Sequence, residues 1–165
     1  MTSRRRLLAL GLAPLSLAGC GFELRRAPEL RFRTVALTGF AQRSPLAAEL
    51  RQNINASKTT QVVEATSQAQ VVLEATVDTR EKSVVASTAA GQVRELQLRT
   101  RLEFRLRTLS GRELIPKTEI LLSRDMNYTE DTALAKEQEE TFLYRAMQSD
   151  IVSQVMRRLA AVPAV

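Results

Sequence analysis

Histidine is absent from the chain, cysteine occurs once, at Cys20, and the six glycines never cluster. Without histidine no Ser-His-Asp or Cys-His nucleophile can be assembled, and the common zinc ligand sets are missing. Scattered glycines form neither a phosphate-cradling P-loop nor a dinucleotide-binding turn. A single cysteine cannot close an internal disulfide. No apolar run reaches the roughly 20 residues that a transmembrane helix needs. Paired carboxylates do occur, Glu130 with Asp131 and Glu139 with Glu140. Adjacent helical positions point in different directions, so these pairs read as solvated cap and helix residues. A carboxylate hydrolase would need two inward-facing acids at one cleft, and Glu74, Asp78 and Glu103 are the residues whose placement decides that option. These exclusions leave a chain read as a non-enzyme, with no cofactor and no catalytic metal.

What is present starts with a basic block, Arg4 to Arg6, followed by an apolar run from Leu7 to Ala18 that carries no charge. That layout is a secretory signal peptide. Leu17-Ala18-Gly19-Cys20 resembles the lipobox of bacterial lipoproteins. The resemblance implies cleavage before Cys20, acylation of its thiol and membrane anchoring through the acyl chains, which at roughly 0.8 kcal/mol per buried CH₂ hold firmly when there are two or three. The alternative is a lone core cysteine in an N-terminal helix. Residues 1–19 are then a leader and residues 20–165 a single domain. Arg4 to Arg6 also resemble a twin-arginine export signal. Gly21 in place of aspartate resembles the sorting pattern for the outer membrane of a Gram-negative bacterium. The leader takes three of 24 basic side chains with it and leaves 21 against 18 acidic ones, a net charge of +3. Charge therefore gives no reason to expect a nucleic-acid partner.

The strongest structural signal runs from Leu96 to Leu106. Even positions read Leu, Leu, Thr, Leu, Phe, Leu and the odd ones between them Gln, Arg, Arg, Glu, Arg, which is the period of a half-buried strand. Its outer face carries Arg99, Arg101, Arg105 and Arg107, relieved by Glu103. That face is either merely solvated or a docking surface, since arginine pairs bidentately with phosphate and carboxylate. A turn at Ser110-Gly111 leads into a second run, Glu113 to Tyr128, with Ile120, Leu122, Met126 and Tyr128 on one side. Upstream, Val71, Leu73, Ala75 and Val77 alternate with Glu74, Thr76 and Asp78 and predict a half-buried strand reaching towards Val85 before the turn at Ala89-Ala90-Gly91. Thr34 to Thr38 predicts an opening strand. Ser44 as N-cap and Pro45 at the first helical position start a helix with Leu46, Leu50 and Ile54 on one face. A longer helix runs from about Thr132 to Ala161, with Leu143, Met147, Ile151, Val155 and Leu159 as its core-facing stripe and Arg157 and Arg158 at its negative pole. The expected fold is an α+β two-layer sandwich of order βαβββα, a four-stranded sheet with both helices on one face.

Cys20-Gly21-Phe22-Glu23-Leu24-Arg25 resembles the mature start of the LPS-assembly lipoprotein LptE (RlpB) family. Three further stretches fall in family order: Gly91-Gln92, Gly111-Arg112-Glu113 and Ala133-Leu134-Ala135-Lys136-Glu137. The resemblance implies a non-enzymatic subunit of the outer-membrane lipopolysaccharide translocon, which plugs and helps assemble an LptD-type β-barrel and binds lipopolysaccharide. Lys136 matches the basic lipopolysaccharide contact of the "ALAK" segment. Ala89 and Ala90 replace a basic residue found in some relatives, with Arg94 as the compensating candidate. The arginines of the long strand become the expected partner-facing surface, because a barrel lumen is polar and water-lined. The competing class is an accessory lipoprotein of a lipid-transporting ABC system, which would share the anchor and a small α+β body.

Replacing the attachment thiol, Cys20→Ala, is expected to leave the precursor unprocessed and unacylated. Mass spectrometry of the mature N-terminus checks this, and an unmodified Cys20 in a functional protein would overturn the lipoprotein reading.

Overall fold

The structure is a computed structural model describing residues 29–57 and 59–164; Cys20 and the mature start lie outside the described residues. The elements are β1 (Thr34–Thr38), α1 (Pro45–Ala56), β2 (Gln61–Val63), β3 (Val71–Ser87), β4 (Val93–Thr108), β5 (Glu113–Asn127) and α2 (Ala133–Ala160), with short 3-10 turns at Thr66–Gln68 and Glu130–Thr132. They form one sheet of order β2-β1-β3-β4-β5 with α1 and α2 packed into a common core. The class is α+β, as expected, but the sheet has five strands instead of four. The extra strand, β2, has only three residues and no alternation that periodicity could detect. It pairs in parallel with β1, Thr34 opposite Gln61 and Ala36 opposite Val63, and so covers what would otherwise be a bare edge of β1.

Local chemistry explains each element. The Ser44 side chain accepts the Ala47 N–H at 3.2 Å and Pro45 takes the first helical position, where its missing N–H costs nothing. Leu46, Leu50 and Ile54 of α1 are buried, as are Met147, Ile151, Val155 and Leu159 of α2. On β4, Leu98, Leu102, Phe104 and Leu106 are fully buried while Arg99 is exposed and Arg101 and Arg105 are only partly covered. Fully burying one such side chain stabilises by about 1.5–3 kcal/mol.

The alternation expected along β3 changes hand. Ala75 pairs with Phe104 and Val77 with Glu103, so Thr76 is an extra residue, a β-bulge. Before it, odd residues face the helices. After it, even residues do, and Asp78, Arg80 and Lys82 sit opposite Leu102, Thr100 and Leu98 on the helix side while Val77 joins the open face. Val77 and Asp78 thus stand on the opposite faces from those that unbroken alternation predicts. The turn after β1 passes so close to this bulge that a Cβ on Gly39 (φ +76°) would lie 2.0 Å from the Ala75 carbonyl oxygen, so only glycine fits. On the far side, β5 carries Pro116 next to a register shift at the sheet edge, where a missing N–H breaks no ladder bond.

Leu102→Asp is expected to unfold the domain, because a buried unpaired carboxylate costs several kcal/mol against a total stability of about 5–15 kcal/mol. Arg101→Ala, with a side chain 42 % exposed, is expected to lose at most about 1 kcal/mol. Thermal unfolding of the two variants checks the face assignment, and equal shifts would refute it.

Candidate functional site

Two surfaces gather the candidate residues. The first is the open face of the sheet, where register places charges of opposite sign side by side. Arg105 bonds Glu74 at 2.9 Å from the neighbouring strand, Arg107 reaches the same carboxylate at 3.3 Å, and Glu113 stands 4.0 Å from Arg105 on the other side. Arg101 bonds Glu119 at 2.8 Å and also pairs with Glu103, whose other oxygen takes Lys117 at 2.6 Å. Arg99 differs: its Nε donates to Gln97 at 2.7 Å, and Gln97 in turn donates to Asp125 at 2.9 Å. Three of the four arginines expected to face a partner are therefore already matched by carboxylates within the sheet. The face is a mixed-charge ladder, not a uniformly basic surface.

The ladder sets the acidity of its members. Hydrogen bonding from Arg105 holds the Glu74 carboxyl below the ordinary glutamate range, outweighing the upward push of burial. For Glu103 the principal cause is the hydrogen bond from Lys117, with Arg101 adding to it. Both carboxylates are engaged by cations on the open face, and Asp78 lies on the helix face with the Ala41 N–H 3.4 Å from its Oδ2. The three acids are not collected at one cleft: Glu74 and Glu103 belong to the open face, where Glu103 is buried beside its cations, and Asp78 lies on the helix face. Among the described residues no group of three or more His, Cys, Asp or Glu could hold a metal ion.

The second surface is the end of the sheet where β5 hands over to α2. Arg94 is the unmatched residue of a register shift near the start of β4, exposed, and its carbonyl accepts the Tyr128 N–H at 2.8 Å. Three residues after Tyr128 lies the middle of the 3-10 turn, and α2 follows with Lys136 in its opening turns. Arg94 and Lys136 thus lie towards the same end of the sheet. Lys136 lies seven residues before Leu143 and eleven before the buried Met147, spacings that put it on the sheet-facing side of the helix. Its side chain is 21 % exposed and its Nζ bonds Glu139 at 2.8 Å. Glu140, four residues on, instead takes Lys82 of β3 at 2.9 Å, an interaction that raises the lysine pKa. The sequence pattern missed Lys82, Lys117 and Glu119, since only strand register and the bulge bring them to these surfaces. The opposite side of α2 carries Leu134 and Phe142, 79 % and 68 % exposed.

A model of the LptE family, described as lipopolysaccharide-assembly, matches residues 32–159. The chain belongs to the LptE family. Its role is in lipopolysaccharide assembly. It is similar to the LPS-assembly lipoprotein LptE of Pectobacterium atrosepticum, 26 % identical over 98 % of this chain and 88 % of that protein. The LptE of Yersinia pestis is 28 % identical over 99 % of this chain and 79 % of its own. Among solved structures, lipoprotein B from Nitrosomonas europaea superposes with a TM-score of 0.71 at 30 % identity, covering 86 % of this chain and 91 % of its own. Rare lipoprotein B from Shewanella oneidensis, at 22 % identity and a TM-score of 0.63 over 78 % of this chain and 95 % of its own, shares the fold. The family match starts at Phe32 and ends at Leu159 and so spans every strand and both helices. Among the described residues no helix is long and apolar enough to cross a membrane.

Glu74 and Glu103 are lowered in the folded state, so the unfolded chain binds more protons and stability rises with pH. Their contribution is complete at neutral pH and fades once the pH falls below about 5, where unfolded glutamates of pKa ~4.3 begin to protonate. Melting temperatures of the wild type and of Glu74→Gln plus Glu103→Gln between neutral and acid pH are expected to converge as the pH falls. A constant gap would show that the ladder does not couple to folding.

Proposed function

We propose that the chain is an outer-membrane lipoprotein, held by acylated Cys20, that occupies the lumen of an LptD-type β-barrel, assists its assembly and binds lipopolysaccharide through a basic patch of Lys136 and Arg94. The observation that carries the reading is the placement of these two cations at one end of the sheet in a member of a lipopolysaccharide-assembly family. Lys136 stands in the opening turns of a 28-residue helix, where the dipole and free N–H groups already favour an anion and disfavour a lysine by roughly 0.3–1 kcal/mol. Its partner Glu139 is a surface residue on the same helix, and a phosphate can displace so weak a pair.

The open face suits a wet barrel interior. A surface whose arginines and glutamates are cross-matched is soluble in water and can still exchange hydrogen bonds with a polar lumen wall. Leu134 and Phe142, exposed on the outward side of α2, offer apolar contacts to the lumen wall on the opposite, helix side of the domain. The role requires no catalytic group, and chemistry at this site consists of competing for lipid phosphates and their counterions.

Lipopolysaccharide binding by residues 21–165 tests the patch. Lys136→Asp and Arg94→Asp, each shown to be folded, are each expected to weaken binding roughly tenfold, equivalent to about 1.4 kcal/mol. Added salt is expected to weaken binding by the wild type. Salt-insensitive binding that survives both reversals would remove the patch and leave a structural plug.

A further inference from the structure

At the opposite end of the sheet from Lys136, where β1 and β3 begin, the chain enters the fold through Leu30-Arg31-Phe32-Arg33. Leu30 and Phe32 are 4 % and 2 % exposed and belong to the core. Strand-like alternation therefore turns Arg31 and Arg33 outward, and both are exposed. Among the described residues neither forms an ion pair, in contrast to Arg101, Arg105 and Arg107. The two arginines line a shallow hollow of about 600 Å³ whose other polar walls are Thr34, Thr59, Gln61 and Gln70. The Gln70 side-chain oxygen is taken by the Arg33 N–H at 2.6 Å, which leaves its NH₂ as a donor. Among the described residues no carboxylate lines the hollow. It is a concavity of guanidinium and amide donors, chemically suited to a phosphate oxygen.

Two neighbouring features point to a surface as the source of that phosphate. The turn between β4 and β5 lies at the same end, because Thr108 pairs with Val71, which pairs with Val35. That turn presents Leu109, 48 % exposed, beside the exposed Arg112. An exposed leucine flanked by arginines is the composition of an interfacial contact, where the apolar group enters the headgroup boundary and the cations meet its phosphates. The chain itself also leads there. Arg31 is eleven residues after Cys20, a tether of at most about 40 Å when fully extended, and Arg25 and Arg26 lie along it against Glu23 and Glu29.

We propose that this end, with Arg31 and Arg33 at its centre and Leu109 and Arg112 at its rim, docks on the anionic phospholipid headgroups of the leaflet that holds the anchor. The inference rests on the acylated Cys20 of the proposed function. Acyl chains hold the chain at the membrane, and the hollow sets the angle at which the domain stands on it. A basic residue near an anionic surface strengthens binding about fivefold, the equivalent of about 1 kcal/mol.

Sedimentation of residues 21–165 with vesicles tests this without the anchor and keeps the whole core cluster of the described residues, Leu30 to Val162. The domain is expected to bind phosphatidylcholine vesicles containing phosphatidylglycerol, more weakly as salt is added, and not phosphatidylcholine alone. Arg31→Glu with Arg33→Glu is expected to cut that binding at least tenfold, and the milder Arg31→Gln with Arg33→Gln serves if the reversal does not fold. The charge-matched pair Arg124→Glu with Arg145→Glu is expected to bind as the wild type does. Equal loss in both pairs would mean net charge alone, and no loss in the Arg31/Arg33 pair would remove the hollow; either overturns the proposal. Titration with inorganic phosphate separates the sources: tight phosphate binding with no preference for phosphatidylglycerol would make the hollow a soluble-anion site and overturn membrane docking. Because Cys20 is absent from this experiment, its failure leaves the acylation result untouched.

Discussion

The whole arrangement depends on the burial of Leu102, Phe104 and Leu106 of β4 beneath the two helices. A strand that long exposes one face of large aliphatic side chains, and nothing but helical cover can remove that area from water. Once α1 and α2 lie on that face, the other face must be mostly polar, and along the 16 residues of β4 aliphatic and charged residues stand back to back. Neither helix covers the open face in return, which is why the charges collect there.

Collecting arginines on one face creates repulsion unless counter-charges arrive from neighbouring strands. Cross-strand neighbours are the unit that sheets offer for this purpose, and Glu74 and Glu119 occupy those positions on either side of β4. Individually such pairs are exposed and each contributes little. Their combined effect is specificity of register: a one-residue slip would turn Glu74 or Glu119 away from the arginines and bring aliphatic residues into water at the same time. The bulge at Thr76 fits the same logic. It returns Arg80 and Lys82 to the helix side, where the Arg80 guanidinium sits 5.4 Å from the Tyr144 ring centre and Lys82 meets Glu140, so α2 is tied to the sheet by polar contacts and not by core packing alone.

Elements whose period is uninterrupted are legible in the sequence. The alternation of β4, the Ser44-Pro45 start of α1 and the four-residue stripe of α2 all reflect a single face meeting a single core, and each reads directly from residue type and spacing. Two features are not legible, for physical reasons. Thr76 sits inside a run, Leu73 to Asp78, that alternates without a break; a bulge adds a residue without disturbing composition, so the switch of faces that relocates Asp78 leaves no trace in the pattern. β2 exists because β1 needs a neighbour, and three residues carry no period. The candidate site divides along the same line. Arg94 and Lys136 are identifiable by residue type in a family context, while the neutralisation of Arg101, Arg105 and Arg107 depends on register and cannot be read from one strand.

The length of β4 gives these separate surfaces a common meaning. Sixteen extended residues at about 3.3 Å each separate its ends by about 50 Å, so the Arg31 hollow and the Lys136 patch cannot serve one small ligand together. Between these two ends Arg101, Arg105 and Arg107 of β4 are cross-matched by glutamates, while Arg99 is held by Gln97. At the ends, among the described residues, Arg31 and Arg33 have no carboxylate in their hollow and Lys136 is held by a neighbour on its own helix. Both proposed roles share this distribution of charge, with anions met at two levels and a polar wall between them. Rigidity is what makes the separation useful: the β3–β4–β5 ladder fixes the distance between the ends, and a flexible linker of equal length would let both basic ends collapse onto the same anionic surface.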